Sequence, residues 1–284
     1  MQDNKAQTDY WSSVPGLKWI KFEDELDVVF DSVNQELIRR AGPIPGDRLL
    51  DIGCGTGATT RAFSQHIAPS GSITALDISA PLLKQAESRR TESDVESLYC
   101  LLDAQDEVIP GAPFDIVTSR FGCMFFSDPI AAFTNVRRHL KSNGRIVLAA
   151  WAPMKGNPWF EVPEGAAVTR LGPSDPTVPN APGPLGFQDR DYVVEILLKA
   201  GFKDIFGTVV DLVLNHPGPL RDVAALASNI GPAARILKKY GGDESDIEVI
   251  HQSVLEKFEI FDTSNGVRIP ARLNFFEATN PVEP

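Results

Sequence analysis

The amino-acid sequence predicts an α/β fold in which helices cover both faces of a mainly parallel sheet. Three observations support this prediction: short apolar runs alternate with helical patterns from about residue 47, a glycine-rich turn follows the first run, and aspartates end the first three runs. With 284 residues, of which 43% are hydrophobic, the chain has enough apolar material for a large core. We expect a doubly wound, seven-stranded sheet with a helical cap at the N-terminus and another formed by an insertion.

Strands and helices follow in a regular order as far as residue 151. Five runs predict strands: RLLDI, SITALDI, SLYCLLD, FDIVTSRF and GRIVLAAW. Helices are expected between them at about 57–68, 80–90 and 128–141. Ser79 is the expected N-cap of the second helix, and the third is expected to begin at Ser127-Asp128-Pro129. Asn143 and Gly144 tolerate positive φ, so they predict the turn into the fifth strand.

Beyond residue 151 the pattern is less regular. Residues 152–188 contain eight prolines and five glycines, which predicts a long irregular loop. DRDYVVEILLKAGF then predicts a helix, and DIFGTVVDLVL and IPARLNFFEAT predict the sixth and seventh strands. The stretch between these two strands, residues 216–268, has helical periodicity and is expected to be an insertion.

Composition and charge argue against several classes of function. A net charge of −11 and an isoelectric point near 4.9 disfavour a nucleic-acid partner, which normally binds a basic surface. No run reaches the roughly 18 apolar residues of a membrane span, and MQDNKAQTDYWSSV lacks the pattern of a signal peptide. We therefore expect a cytoplasmic protein with no membrane contact. Cys54, Cys100 and Cys123 form no C-x-x-C pair, so reduced thiols are expected and a metal site is not.

The stretch LLDIGCGTGATT fits two ligand-binding patterns. Gly53, Gly55 and Ala58 fit the G-x-G-x-x-G/A turn of dinucleotide-binding folds, whereas Asp51, Gly53, Gly55 and Gly57 fit D-x-G-x-G-x-G. Both patterns require a ligand to approach the backbone closely, because only glycine leaves that space.

Aspartates stand at the ends of the first three predicted strands, where a doubly wound sheet binds its ligand. Asp77 has the spacing of an acid that binds ribose hydroxyls, but a dinucleotide gives no role to Asp51, and three carboxylates repel a pyrophosphate. Taken alone, Asp51 is equally a turn cap and Asp103 an ordinary loop acid. Together, the three acids favour a ligand that carries a cationic group.

Four segments together resemble the class I S-adenosylmethionine-dependent methyltransferases. They are DIGCGTG at 51–57, TALDI at 74–78, DA at 103–104 and FDIVTS at 114–119. The resemblance covers about residues 45–151. It implies a Rossmann-like methyltransferase fold with a seven-stranded sheet whose last strand is antiparallel, and S-adenosyl-L-methionine as the cofactor.

The resemblance also implies a role for each matching residue. The backbone of four residues would pass under the methionine part of the cofactor: Gly53, Cys54, Gly55 and Gly57. Asp51 would hold the ammonium group, directly or through water, and Asp77 would accept from the ribose hydroxyls. Ile78 would pack on the adenine, Asp103 would accept from its exocyclic amine, and the Ala104 amide would meet a ring nitrogen.

Two residues are candidates for the catalytic centre. Methyl transfer needs a nucleophile in line with the carbon–sulfur bond, and it needs a base only if that nucleophile arrives protonated. His216 follows the sixth strand in the sequence NHPGP, where it is either a general base or a structural residue. Arg120 follows the fourth strand in apolar company, so it requires an anionic partner: an acceptor carboxylate, the cofactor carboxylate or an aspartate.

Aromatic residues are the candidates for the substrate pocket. The set is Tyr10, Trp11, Trp19, Phe121 and Trp159. The three N-terminal ones either form a lid over the cofactor or anchor the segment to the core, and Phe121 packs either in the core or in the pocket. We expect a small-molecule substrate, a largely apolar organic acceptor methylated on oxygen, nitrogen, carbon or sulfur. The alternatives are a non-catalytic S-adenosylmethionine-binding module and a nicotinamide-dependent oxidoreductase.

The expected organisation has four regions. They are an N-terminal lid or cap segment at 1–45, a cofactor-binding core at 46–151, a proline-rich substrate loop at 152–188, and the completion of the sheet at 189–284 with the helical insertion at 216–268.

Overall fold

A computed structural model describes residues 4–91, 95–176 and 178–282. One sheet runs through it, with the strands β1 (Arg48–Ile52), β2 (Ser72–Asp77), β3 (Glu96–Leu101), β4 (Phe114–Arg120), β5 (Leu140–Trp151), β6 (Lys203–His216), β7 (Asp262–Thr263) and β8 (Gly266–Thr279). The strand order is β3-β2-β1-β4-β5-β8-β6, and the two-residue β7 pairs with β8. Strands β1 to β5 are parallel, whereas β8 is antiparallel to both β5 and β6. The predicted doubly wound, mainly parallel sheet is confirmed.

The helices precede the sheet, connect its strands and form the insertion. They are α1 (Lys5–Trp11), α2 (Val14–Lys21), α3 (Glu23–Val29), α4 (Asp31–Ala41), α5 (Ala58–Ile67), α6 (Ala80–Ser88), α7 (Pro129–Arg138), α8 (Pro158–Leu171), α9 (Arg190–Lys199), α10 (Leu220–Asn229), α11 (Pro232–Tyr240) and α12 (Glu244–Phe258). In the described part of the chain, no helix has the length and apolar content that a membrane crossing requires.

The direction of strand order reverses between β1 and β4. From β1 the chain extends to β2 and β3 on one side, and β4 and β5 extend to the other. Leu49 and Leu50 on β1, and Ile116 and Val117 on β4, are fully buried, as expected of central parallel strands covered on both faces. A crevice therefore opens at the carboxyl ends of β1 and β4, where doubly wound sheets bind ligands.

Local capping explains where the crossover helices begin. The Ser79 side chain accepts a hydrogen bond from the Leu82 amide at the start of α6, and Asp128 accepts from the Ala131 amide at the start of α7. Both caps are as the sequence predicts. Asn143 has a φ of 60°, also as predicted, but β5 already begins at Leu140 because the ladder with β4 continues across a bulge.

The proline-rich stretch 152–188 is not irregular throughout. The sequence predicts a loop there, whereas α8 occupies Pro158–Leu171 with Pro163 inside it. Pro158 stands in the first helical turn, where a missing N–H costs nothing, and apolar residues of α8 such as Trp159, Phe160 and Ala167 are buried. Proline count alone was therefore a poor guide to this segment.

The insertion and the N-terminal segment form helical layers near the ligand edge of the sheet. α8 packs against α11 and α12, and α10 packs against α12. Val223, Ile250, Val254 and Phe258 give this layer a buried core of its own. At the other end of the chain, α4 packs against β4 and β5.

Candidate active site

A cavity of about 640 Å³ lies at the carboxyl ends of the parallel strands. One side of it is formed by the turn after β1 and by residues that end β2, β4 and β5, and the other side by α1, α2, α11 and α12. Most of its walls are apolar or aromatic side chains. Its size and lining are those of a small-molecule site.

The turn between β1 and α5 requires glycine for its conformation and for its packing. Gly53, Gly55 and Gly57 have φ values of 69°, 57° and 83°, in the left-handed region that side chains rarely adopt. A Cβ on Gly53 would lie 2.8 Å from the Cα of Gly122, in the turn after β4. The two turns thus meet backbone to backbone, and Gly53 and Gly55 form part of the cavity wall.

Asp77 ends β2 and is held by backbone amides. Its Oδ1 accepts from the Ser79 N–H at 2.8 Å and its Oδ2 from the Gly55 N–H at 2.9 Å. Burial raises the pKa of Asp77 to about 6, although these amide hydrogen bonds favour the charged form. The carboxylate lines the cavity and is fixed by the glycine turn itself.

Asp51 lies behind the glycine turn and is fully buried. Its Oδ2 accepts from the Thr60 hydroxyl at 2.6 Å, and its Oδ1 has no hydrogen-bond partner among the described residues. Burial raises the pKa of Asp51 to about 6, while Thr60 and Arg120 act in the opposite direction. Asp51 is not among the residues that line the cavity, so any effect on a ligand passes through the turn or through water.

Arg120 ends β4 and points into apolar surroundings. Its guanidinium lies 5.7 Å from the centre of the Phe30 ring, and its buried Nη1 has no hydrogen-bond partner among the described residues. Burial lowers its pKa, which the charges of Asp27 and Asp51 partly oppose. Arg120 also lines the cavity, and a buried donor normally has an acceptor as its partner.

Phe121, the next residue, has a φ of 66°, which is rare for a bulky side chain. Its amide donates to the Ala149 carbonyl at 2.9 Å, and its ring stacks on Trp151 at 5.0 Å. These contacts hold the strained turn that directs the chain from β4 into the cavity.

The far end of the cavity is closed by Asn4. Its amide nitrogen donates to Asp103 Oδ1 at 3.2 Å, and its Oδ1 accepts from the Ser127 amide at 3.0 Å. Asp103 is half-buried, two residues beyond β3, and burial raises its pKa. Ala104 also lines the cavity. Asn4 belongs to no motif, so sequence reasoning missed it.

The predicted pocket residues meet in this cavity. Tyr10, Trp11, Trp19, Phe121 and Trp159 all line it. Trp11 packs edge to face on Trp19 at 6.0 Å, and its carbonyl accepts from the Ser79 hydroxyl at 2.9 Å. The N-terminal aromatic residues therefore anchor the segment to the core and line the cavity, and their role as a lid over the cofactor stays a prediction.

His216 does not lie in the cavity. It ends β6, is 8% exposed, and its Nδ1 accepts from the Gly218 amide at 3.0 Å. The imidazole stabilises the turn that leads into α10, and a Cβ on Gly218 would touch it at 2.7 Å. The structure thus supports the structural alternative for this histidine, because β6 lies at the sheet edge, away from the crevice.

Cations on the cap side are the other group that sequence reasoning missed. Lys18 on α2 and Arg235 and Lys238 on α11 line the cavity. The Lys18 ammonium donates to the Asn229 carbonyl at 3.1 Å and so joins the N-terminal segment to the insertion. No local pattern brings residues more than 200 positions apart together, so a single sequence holds no signal for this group.

Comparison with known proteins agrees with the geometry. The profile of the methyltransferase domain matches residues 50–148. Nocamycin O-methyltransferase of Saccharothrix syringae is 28% identical over 197 residues, which cover 66% of this chain and 70% of that protein. The ubiquinone/menaquinone biosynthesis C-methyltransferase UbiE of Burkholderia vietnamiensis is 34% identical over 122 residues, 42% of this chain. The chain spans about half the length of the UbiE relatives it matches, 50% for this one.

Solved structures show the same fold at low identity. Phosphoethanolamine N-methyltransferase 2 of Haemonchus contortus, solved with S-adenosyl-L-methionine, superposes with a TM-score of 0.56 at 18% identity, over 99% of this chain and 61% of that one. The [4+2]-cyclase SpnF superposes with a TM-score of 0.50 at 20% identity, over 89% of this chain and 82% of that one. Because their names differ in chemistry, the fold alone does not identify the reaction.

The domain match and the curated relatives decide between the two readings of the glycine turn. Both favour a methyltransferase over a nicotinamide-dependent oxidoreductase, and they make S-adenosylmethionine the cofactor. The resemblance stated from the sequence is confirmed. These similarities support a class I S-adenosylmethionine-dependent methyltransferase whose methyltransferase domain covers residues 50–148.

Proposed function

We propose that this methyltransferase transfers its methyl group to a small, largely apolar organic acceptor that binds in the same cavity as the cofactor. One observation carries the proposal: the cavity has a polar side at the strand ends and an aromatic side under the helical caps. A cofactor with charged and hydroxyl groups suits the first side, and an apolar acceptor suits the second.

Two unpartnered atoms support a zwitterionic ligand at the glycine turn. Asp51 Oδ1 and Arg120 Nη1 are buried, opposite in charge and without hydrogen-bond partners among the described residues. The methionine part of the cofactor carries an ammonium and a carboxylate, which are the two groups that would satisfy them. We assign the ammonium to Asp51, through water or the turn, and the carboxylate to Arg120.

The adenosine part is assigned to the ends of β2 and β3. Asp77 has two carboxylate oxygens on the cavity wall and would accept from the ribose hydroxyls. Ile78 would pack on the adenine, with Asp103 and the Ala104 amide at its polar edge. Asn4 would then hold Asp103 in position from the N-terminal side, since it already donates to that carboxylate.

The chain's own part in the reaction is positioning. The bound cofactor supplies an electrophilic methyl group on a sulfonium whose departing thioether is neutral. The Gly53 and Gly122 turns fix one reactant, and the aromatic side chains of the cap fix the other at in-line distance, about 3 to 3.5 Å. Trp11 and Trp19 exclude water from the reacting groups.

Charge and cavity shape favour a small molecule over a macromolecule. The chain has a net charge of −11, and the cavity is covered by helices from both ends of the described chain. A nucleic-acid or membrane partner has no support in these features, and the cytoplasmic location stays a prediction. The named relatives act at oxygen in one case and carbon in another, so they do not decide the acceptor atom.

Isotope transfer tests this proposal. The protein is incubated with S-adenosylmethionine that carries a heavy methyl group and with a small-molecule extract, and labelled products are sought by mass spectrometry. We expect label in a discrete small molecule, and none with the Arg120→Met variant at matched protein concentration. Label confined to protein or nucleic acid would contradict the proposal, as would a protein that binds S-adenosylhomocysteine but labels nothing in extracts of several organisms.

A further inference from the structure

Acids line only the strand-end side of the cavity, where Arg120 is also found, whereas the charged residues on the cap side are cations alone among the described lining residues. On the strand-end side the described lining residues include Asp77 and Asp103, the two acids assigned above to the adenosine. On the cap side they include the cations Lys18, Arg235 and Lys238 and no acid. The cap side is therefore basic, whereas the whole chain is acidic, with 38 acidic and 27 basic residues.

The cap-side cations keep donors available. Lys18 donates once, to the Asn229 carbonyl, and an ammonium has three donors. Arg235 and Lys238 take part in no ion pair within the described ranges, although the neighbouring Lys239 pairs with Asp175 at 2.6 Å. Tyr10, which also lines the cavity, is close enough to Arg235 for that charge to lower its pKa, against the larger effect of burial.

On the cap side, the described lining residues also include no carboxylate and no histidine that could act as a general base for the acceptor. The described lining residues include no histidine and no glutamate. Cys54 is fully buried and its pKa is raised well above the usual value, so it stays protonated. Of the four histidines, His216 is engaged in its own turn and the other three are outside the lining.

We infer that the acceptor is a carboxylic acid with an apolar body, bound as its anion by Lys18, Arg235 and Lys238 and methylated on the ionised oxygen. A carboxylic acid is already ionised near neutral pH, with a pKa of about 4, so its nucleophilic oxygen needs no base. The aromatic walls formed by Trp11, Trp19 and Trp159 take the apolar body. The inference rests on the proposed function and specifies its substrate class.

The reaction balances without a proton transfer. A lone pair on the carboxylate oxygen forms the new oxygen–carbon bond, and the carbon–sulfur bond breaks with its electron pair moving to sulfur. The products are a methyl ester and the neutral thioether S-adenosylhomocysteine. The negative charge of the acceptor cancels the positive charge of the sulfonium, which agrees with a cap side that offers no carboxylate or histidine to this step.

Binding tests the inference with probes that differ only in charge. All four tryptophans of the chain line the cavity, so their fluorescence reports on its occupation. Decanoate and decanamide, and 3-phenylpropionate and its amide, are titrated into protein saturated with S-adenosylhomocysteine. We expect each acid to bind at least fivefold more tightly than its amide. Equal or weaker binding of the acids would overturn the inference.

Substitutions show which residues make the protein bind acids more tightly than amides. Arg235→Gln and Lys238→Gln should each reduce the acid-over-amide ratio about two- to fivefold, the scale of an exposed charge pair, and Arg235→Lys should retain most of it. Lys257→Gln, an exposed charge on α12 outside the cavity, is the matched control and should leave the ratio unchanged. A ratio that responds equally to Lys257→Gln would show a general charge effect and overturn the assignment.

Product chemistry separates this inference from the proposed function. With S-adenosylmethionine labelled in its methyl group, products from an extract are treated with mild base, which releases methanol from methyl esters only. We expect volatile label. Base-stable label in a small molecule would overturn the carboxylic acid while leaving the methyltransferase proposal intact, whereas failure to bind S-adenosylhomocysteine at all would contradict the proposed function itself.

Discussion

The Asp51→Asn variant tests whether this protein keeps a destabilising charge in its core for the sake of ligand binding. The side chain is fully buried, and burial raises its pKa from 3.8 to about 6. A difference of about two pKa units between the folded and unfolded states corresponds to about 3 kcal/mol of unfolding free energy. The ionised form of Asp51 therefore reduces the stability of the ligand-free protein by about that amount.

The sign of the pH dependence follows from the raised pKa. Stability gained by protonating Asp51 is complete below pH 3.8 and is lost as the pH rises through about 6. At pH 8 none of it is present, and at pH 5 about half is. Asparagine is neutral throughout, so Asp51→Asn should stabilise the ligand-free protein at pH 8 by about 1 to 2 kcal/mol, once its unpaired amide N–H is allowed for. The stabilisation by Asp51→Asn should be smaller at pH 5 by about 1.4 kcal/mol, because Asp51 is then largely protonated in the wild type.

Urea denaturation at pH 8 and pH 5 measures the change in unfolding free energy. Calorimetry with S-adenosylhomocysteine measures the expected loss of binding affinity. Asp115→Asn is the matched control, with an effect of opposite sign. Burial raises the pKa of the Asp115 carboxyl, but hydrogen bonds from Lys141 and from the Arg48 amide outweigh burial and lower that pKa. The Asp115→Asn variant should therefore be destabilised at pH 8. The reasoning is refuted if Asp51→Asn changes stability equally at both pH values, or if it binds S-adenosylhomocysteine as tightly as the wild type.

Three further predictions concern the cofactor site and the N-terminal segment. Asp77→Ala should weaken S-adenosylhomocysteine binding by about 1 to 3 kcal/mol in calorimetry, the scale of lost charge-assisted hydrogen bonds, and unchanged affinity would exclude Asp77 from the ribose site. Gly53→Ala should lower the urea midpoint and abolish binding, because the new methyl group meets Gly122 at 2.8 Å and φ is 69°; a variant with wild-type affinity would show that the two turns separate easily. Asp27→Asn removes the charge that pairs with Arg61 at 2.8 Å and Arg89 at 2.6 Å. Limited trypsin digestion should then cleave after Lys18 and Lys21 in α2 several-fold faster, while global unfolding shifts by about 1 kcal/mol or less.

Much of the core was predictable because its signals are local. Alternating strand and helix patterns, the caps at Ser79 and Asp128, and the glycines after β1 each act within a few residues of the feature they specify. Asp77 and Asp103 could be placed at the same edge of the sheet from the sequence, because parallel strands end at one edge. Local chemistry and one topological rule therefore suffice for the strand-end side of the cavity.

On the cap side only the aromatic residues were predicted, and the cations were missed for the opposite reason. The residues of this side come from α1, α2, α8, α11 and α12, which are far apart in sequence and meet only through tertiary packing. His216 illustrates the difference: its place after β6 suggested the ligand edge, but β6 lies at the far side of the sheet, beyond β8. The prediction of a loop at 152–188 was wrong for α8, which begins at Pro158, because proline is tolerated in the first turn of a helix.

The distribution of buried contacts indicates where ligands reach the cavity. The described helix α1 has no buried residue and α2 has only Gly16, whereas α4 buries five residues against the sheet. α1 and α2 are held by ring contacts of Trp11 and Trp19 and by a few polar contacts. The polar contacts are Asn4 to Asp103, Ser79 to the Trp11 carbonyl, and Lys18 to Asn229. Contacts of this kind open at lower free energy than a packed core. Each of them also joins the N-terminal segment to a proposed ligand-binding element, so opening α1 and α2 would expose the cofactor and acceptor sides together, and closing them would restore both.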